Sequence, residues 1–180
     1  MSDTIMRPGP FGRLSGALLR LFGWRVLFIQ PSTPKAVVIV YPHTSNWDFI
    51  VGILTRFAIA LPAHWVGKDT LFRPPLGGLF RRLGGIPVNR RQSAGFVDGL
   101  IETFNKSKRL YLAIAPEGTR AKSDHWKSGF YRLAVAAGVP LGLAFIDYSR
   151  REVGIEKWLQ LSGNEAEDLA GIRVYYETRL

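Results

Sequence analysis

Three short polar clusters hold the residues able to do chemistry: His43 to Asp48 (HTSNWD), Asn89 to Arg91 (NRR) and Glu117 to Arg120 (EGTR). In the first, an imidazole is followed five residues later by a carboxylate. If His43 lies just past a strand and Asp48 opens a helix, the carboxylate can take one ring nitrogen and leave the other for a substrate proton. That is the base half of a triad without a nucleophile. The chain has no cysteine and no G-x-S-x-G elbow, so the hydroxyl to be activated belongs to a substrate. Ser45 and Asp48 also fit a capping box, S-x-x-D, and the two roles are compatible because a cap would hold Asp48 where His43 needs it. The second and third clusters bring arginines, a tight turn and a hydroxyl, a set suited to gripping phosphate with paired hydrogen bonds. Each, taken singly, also fits a solvated basic loop. The three histidines are scattered and show no paired ligand spacing, which leaves no expected metal site. Neither a P-loop nor a G-x-G-x-x-G turn is present, against nucleoside triphosphate or dinucleotide cofactors.

The elements that must position these clusters read as alternating strands and helices. Lys35 to Tyr41 (KAVVIVY) predicts a buried strand ending at Pro42, and Asp48 to Ala60 a helix. A short strand is expected at Ala63 to Val66, a short helix near Leu79 to Leu83, and a strand at Ile86 to Val88. Phe96, Val97, Leu100, Ile101 and Phe104 share one helix face. Leu110 to Ala115 predicts the next buried strand, Lys127 to Ala137 a helix closed by Gly138, Val139 to Ile146 a further strand, and Ile172 to Tyr176 an edge strand. The order implies an α/β sandwich in a single domain, with a mostly parallel central sheet and helices on both sides. All three polar clusters then fall beyond strand ends, where such folds place their sites.

With 180 residues and 47% hydrophobic content the chain supports one buried core. Its 24 Lys and Arg against 14 Asp and Glu give a net charge of +10. Residues 1–146 hold 19 basic and 7 acidic side chains, whereas residues 147–180 hold 5 and 7, so the positive field belongs to the body of the domain. That charge would admit nucleic acid, but no recognition motif accompanies it and the aromatic residues sit in apolar stretches, so no nucleic-acid partner is expected. No uncharged apolar run is long enough to span a bilayer. Phe11 to Ile29 reads as an amphipathic helix, with Leu14, Leu18, Leu21 and Phe28 on one side and Arg13, Arg20 and Arg25 interspersed. Two placements fit: flat in a membrane interface with arginines at the headgroups, or packed on the domain. The charges interrupt any signal-peptide core. The chain thus divides into an N-terminal amphipathic, membrane-associating segment, 1–30, and a domain, 31–180.

Taken together these residues resemble the glycerolipid acyltransferase family, of the 1-acylglycerol-3-phosphate acyltransferase type. Its H-x-x-x-x-D signature is matched by His43 and Asp48, its G-x-I-x-V-x-R block by Gly84, Ile86, Val88 and Arg90, and its P-E-G-T-R block by Pro116 to Arg120. The fourth, a V-P-hydrophobic strand, is matched by Val139, Pro140 and Leu141. Lys68 with Leu71 and Pro75, and Lys127 with Gly129, add agreement. The resemblance covers about residues 35–146.

The resemblance implies that His43 is the general base for an acceptor hydroxyl attacking an acyl thioester on coenzyme A or acyl carrier protein, with Asp48 orienting it. Arg90 and Arg120, with Lys68, Gly118 and Thr119, would bind substrate, chiefly the acceptor's phosphate, and Glu117 would organise that pocket. No resident cofactor is implied. The expected partners are the thioester donor, a lysolipid acceptor and an anionic membrane surface, on the cytoplasmic side and peripheral. Asn89 stands where the family commonly has Asp, Pro87 where an aromatic or aliphatic residue is usual, and Ala121 to His125 replaces the usual linker. These departures bear on the acceptor, with other lysolipids, ornithine-type lipids and hydroxylated secondary metabolites beside 1-acylglycerol-3-phosphate. An acyl-thioester hydrolase and a non-catalytic basic protein binding anionic membrane or nucleic acid are the competing readings.

Overall fold

The computed structural model describes residues 6–43, 45–89, 95–118 and 126–180. Seven strands form one sheet in the order β1-β7-β6-β2-β5-β3-β4. Five of them run parallel: β2 (Lys35–Val40), β3 (Ala63–Lys68), β4 (Gly85–Val88), β5 (Leu110–Ile114) and β6 (Leu141–Asp147). The other two, β7 (Glu152–Leu159) and β1 (Arg25–Phe28), run parallel to each other, and β7 pairs antiparallel with β6.

The side-chain period of two in β2 divides the core. Val37 and Ile39 face α4 (Phe96–Lys106), α5 (Gly129–Ala136) and α6 (Glu165–Arg179), packing with Leu100, Phe104, Phe130, Leu133, Ile172 and Tyr176. Ala36 and Val38 belong to the opposite face, with Ile59, Leu61 and Tyr111. On that side α1 (Pro10–Leu21) and α2 (Trp47–Ala58) cover the sheet, and Leu19, Trp24 and Val51 pack with Ile146 and Val153. Each such fully buried side chain stabilises the fold by about 1.5–3 kcal/mol. This is the mostly parallel sheet with helices on both sides that the sequence predicts. The short helix α3 (Gly77–Arg82) follows a 3-10 turn at Asp69–Phe72 and leads into β4.

The amphipathic helix ends at Leu21, eight residues before the predicted Ile29. Gly23 takes a left-handed conformation at φ +79°, and the Trp24 N–H donates to the Leu19 carbonyl at 2.8 Å, which closes the helix. Val26, Leu27 and Phe28 then pair with Val153, Gly154 and Ile155 of β7, as suits a β-branched and aromatic run. Residue 30 is therefore no structural boundary. Of the two placements of α1, the structure has the packed one: Gly12, Ser15 and Leu19 are buried against the domain, while Phe11, Leu14, Leu21 and Phe22 are 55–77% exposed. A Cβ at Gly12 would meet the Phe57 carbonyl oxygen at 2.5 Å, so the close approach of α1 and α2 needs that glycine.

The segment read as an edge strand, Ile172 to Tyr176, lies inside α6. Asn164 accepts the Glu167 N–H at 3.4 Å as its N-cap, and three carboxylates fill the first turn. Ile172 and Tyr176, four residues apart, form its buried stripe. The strand in this part of the chain is β7, whose apolar pattern is interrupted by Glu152 and Glu156. Arg179 at the end of α6 donates to both carboxylates at 2.7 Å and lies over the Phe145 ring at 3.9 Å.

Candidate active site

The carboxyl edge of the parallel strands gathers His43, Asp48, Glu117 and Tyr148. His43 stands three residues past β2, and Asp48 is the second residue of α2. His43 Nδ1 lies 3.2 Å from Asp48 Oδ2. The same oxygen accepts the Ser45 N–H at 2.7 Å, and Ser45 Oγ accepts the Trp47 N–H at 3.1 Å. The N-cap of α2 is Asn46, without a side-chain cap bond, so the S-x-x-D box forms only in its Asp48-to-Ser45 half, and that half holds the carboxylate beside the imidazole. With Nδ1 turned to Asp48, Nε2 is the ring nitrogen left for a substrate proton.

Glu117 comes from the loop after β5, the strand beside β2. Its Oε2 accepts the main-chain N–H of His43 at 3.0 Å, and the residue is only 3% exposed. It therefore orders the histidine's own backbone. Gly118 closes the turn at φ +64°, donating to the Ala115 carbonyl at 3.1 Å, and a Cβ there would stand 3.0 Å from the Lys127 stem. Lys68 is at the exposed carboxyl end of β3, on the far side of β5 from β2. Arg90, Thr119 and Arg120 lie outside the described residues.

Tyr148 and Trp24 are the residues that sequence reasoning missed. Tyr148 follows β6 directly, and its hydroxyl donates to Asp48 Oδ1 at 2.7 Å. The Trp24 ring meets it edge-on, centroids 5.1 Å apart. The available signal was positional: β6 neighbours β2, so a side chain just past β6 arrives at the edge where His43 waits.

Asp48 is 3% exposed, and such burial raises a carboxyl pKa. Hydrogen bonds from His43, the Ser45 N–H and Tyr148 outweigh it, and the group is held below its ordinary value. The Tyr148 phenol is pushed up to about 12, by desolvation first and then by the carboxylate it serves. The arrangement is an ionised acid, an oriented imidazole and a neutral phenol donor. It can accept one proton at Nε2 and stabilise the imidazolium that results.

An apolar cavity of about 230 Å³ opens between the sheet and α4 and α5. Val88, Phe96, Leu100, Phe130 and Leu133 line it, with Gly118 and Lys127 also in its wall.

Residues 28–142 match the acyltransferase family model, and the chain belongs to that family. Its relatives include the 1-acyl-sn-glycerol-3-phosphate acyltransferases of Salmonella typhimurium and Salmonella typhi, each 26% identical over 156 residues. That alignment takes in 82% of this chain but 62% of each relative's length. The fold is shared with the crystal structure of the 1-acyl-sn-glycerophosphate acyltransferase PlsC from Thermotoga maritima, at a TM-score of 0.65 and 16% identity over 93% of this chain and 76% of that one.

Proposed function

We propose that the protein is an O-acyltransferase that moves a fatty acyl group from a thioester of coenzyme A or acyl carrier protein to a hydroxyl of a lysophospholipid such as 1-acylglycerol-3-phosphate. The observation that carries this is the His43–Asp48 pair, 3.2 Å apart at the carboxyl edge of the sheet, in a chain with no cysteine and no nucleophile elbow. His43 Nε2 takes the acceptor's proton as its oxygen attacks the thioester carbonyl. The tetrahedral intermediate collapses with loss of the thiolate, which the imidazolium protonates, so the base is regenerated and no acyl-enzyme forms. Asp48 holds the imidazole and offsets its transient charge.

The apolar cavity beside Gly118 is of a kind that fits an acyl chain. Arg90, Arg120, Thr119, Gly118 and Lys68 are the proposed ligands of substrate phosphate, on the strength of the family motifs they match. The exposed Phe11, Leu14, Leu21 and Phe22 of the N-terminal helix and its end, with Arg13 and Arg20 between them, support a peripheral position on an anionic membrane, on the cytoplasmic side where thioester donors are made. Trp47 and Ile50 of α2 are exposed as well. No helix among the described residues is long and apolar enough to cross a membrane.

The test is thiol release and product mass with each donor, in the presence of 1-acylglycerol-3-phosphate, of other lysolipids and of no acceptor. Release that depends on a lysolipid, with a diacylated product, is the expected result. Equal release without acceptor would make the protein a thioester hydrolase.

A further inference from the structure

Asp48 receives hydrogen bonds on both oxygens, and only one of them serves the imidazole. Oδ2 takes His43 and the Ser45 N–H, while Oδ1 takes the Tyr148 hydroxyl. The loop before α2 holds Oδ2 through the Ser45 N–H. Tyr148, in the turn after β6 and 100 residues away in sequence, adds a donor to Oδ1 that ties the carboxylate to a separate part of the fold.

Tyr148 is itself held from two sides. Trp24 packs edge-on against its ring and is only 9% exposed. The turn that carries it is pinned by Asp147, whose Oδ1 accepts from the Ser149 N–H at 2.9 Å, the Ser149 hydroxyl at 2.6 Å and the Arg150 N–H at 3.1 Å. Asp147 is in turn paired with Arg179 at 3.7 Å. A tyrosine 47% exposed would ordinarily be a surface ring with water on its hydroxyl. Here that hydroxyl donates to a buried carboxylate and is itself hydrogen-bonded by the Ser45 side chain.

We propose that Tyr148 is a positioning residue of the dyad: clamped by Trp24 and the Asp147 turn, its hydroxyl holds Asp48 Oδ1 and so presents Oδ2 to His43 in the geometry the proton transfer needs. This rests on the reading of His43 as the base. A carboxylate already serving as acceptor to a neutral phenol is also less able to take the proton from the imidazolium, which keeps the charge on the ring that must return it to the leaving thiolate.

The test compares Y148F, D48N and the double variant with wild type, using acyl-CoA and 1-acylglycerol-3-phosphate, beside H43A. Phe keeps the ring on Trp24, so the far-ultraviolet circular dichroism of Y148F should match wild type and its unfolding should stay cooperative, with the melting temperature lowered by a few degrees for the lost hydrogen bond. The kcat should fall about tenfold with KM for either substrate changed less than about twofold. In the D48N background the same change should cost less than about twofold, because the partner of the hydroxyl is already altered.

A second readout needs only Y148F. Among the described residues, the titratable groups bonded to the carboxylate are His43 and Tyr148; Glu117 accepts the His43 main-chain N–H, and Arg150 and Arg179 pair with Asp147 beside Tyr148. Without its phenol donor, Asp48 holds the imidazolium more tightly, so the acidic limb of the kcat/KM profile should move to higher pH. Y148F within twofold of wild type and an unmoved limb, with H43A inactive, would overturn the role of Tyr148 and leave the base assignment standing. Equal losses in both backgrounds would place Tyr148 on substrate instead and overturn it too. An active, folded H43A would overturn both.

Discussion

Asp48 performs two tasks with one side chain. It ties down the turn before α2 by accepting the Ser45 N–H, and it lies against His43. Since its carboxyl is held below the ordinary value when folded, its contribution to stability is present above the unfolded pKa, about 4, and is lost as pH falls through the folded value. Replacing it with Asn should cost on the order of 1–3 kcal/mol at pH 7 by urea unfolding. The gap from wild type should narrow as pH falls below about 4. A gap that widened in acid would contradict the linkage. Asp147 and Asp168 are also held low, so the variant keeps part of the acid sensitivity. At this scale the sequence was legible where partners are close in the chain, as with the H-x-x-x-x-D spacing and the Ser45–Asp48 bond. Glu117 stood out as part of a motif, but its bond to the His43 N–H crosses two strands and follows only from their pairing. Tyr148 and Trp24 belong to no motif and could be found only by folding the chain.

Elements rich in apolar residues were legible because their period is strong: β2, β5 and β6 are buried runs, and α4 shows its stripe. The failures share a cause, which is tertiary pairing that local pattern does not carry. The N-terminal helix stops at a left-handed glycine, and its continuation is a strand only because β7 lies beside it. The stretch Ile172 to Tyr176 is β-branched and aromatic, yet the Asn164 cap and acidic first turn start a helix that runs through it. The charges that hid β7 are satisfied across the sheet edge by Arg179, whose side chain is 13% exposed and bonded to Glu152 and Glu156. Removing that guanidinium leaves Glu156 without Arg179 and Glu152 with only the exposed Arg25, 3.1 Å away, close to Asp147. Arg179→Leu should therefore destabilise by about 3 kcal/mol, the lower end of what breaking a buried ion pair costs, because Glu156 is partly in water. Urea midpoints of variant and wild type measure it. A loss below about 0.5 kcal/mol would mean α6 is held by Ile172 and Tyr176 alone.

For the whole molecule, the charge of +10 and the exposed apolar residues of the N-terminal helix belong to one proposal. A protein held at an interface by both should sediment with vesicles containing anionic lipid, and weakly with neutral ones. Raising salt should release part of the bound fraction, and Leu21→Ser with Phe22→Ser should release more, while the urea midpoint stays within about 0.5 kcal/mol because both side chains are exposed. Equal binding to neutral and anionic vesicles would rule out the electrostatic half.

The central claim is that His43 is the base of an acyl transfer, and one comparison tests it most directly. Wild type and His43→Ala, both folded by circular dichroism, are given acyl-CoA or acyl carrier protein thioester with 1-acylglycerol-3-phosphate, and the diacylated product is measured by mass spectrometry. The account predicts acceptor-dependent product from wild type and a loss of at least about 10²-fold in the variant. Product formed by the variant within tenfold of the wild-type rate would contradict it.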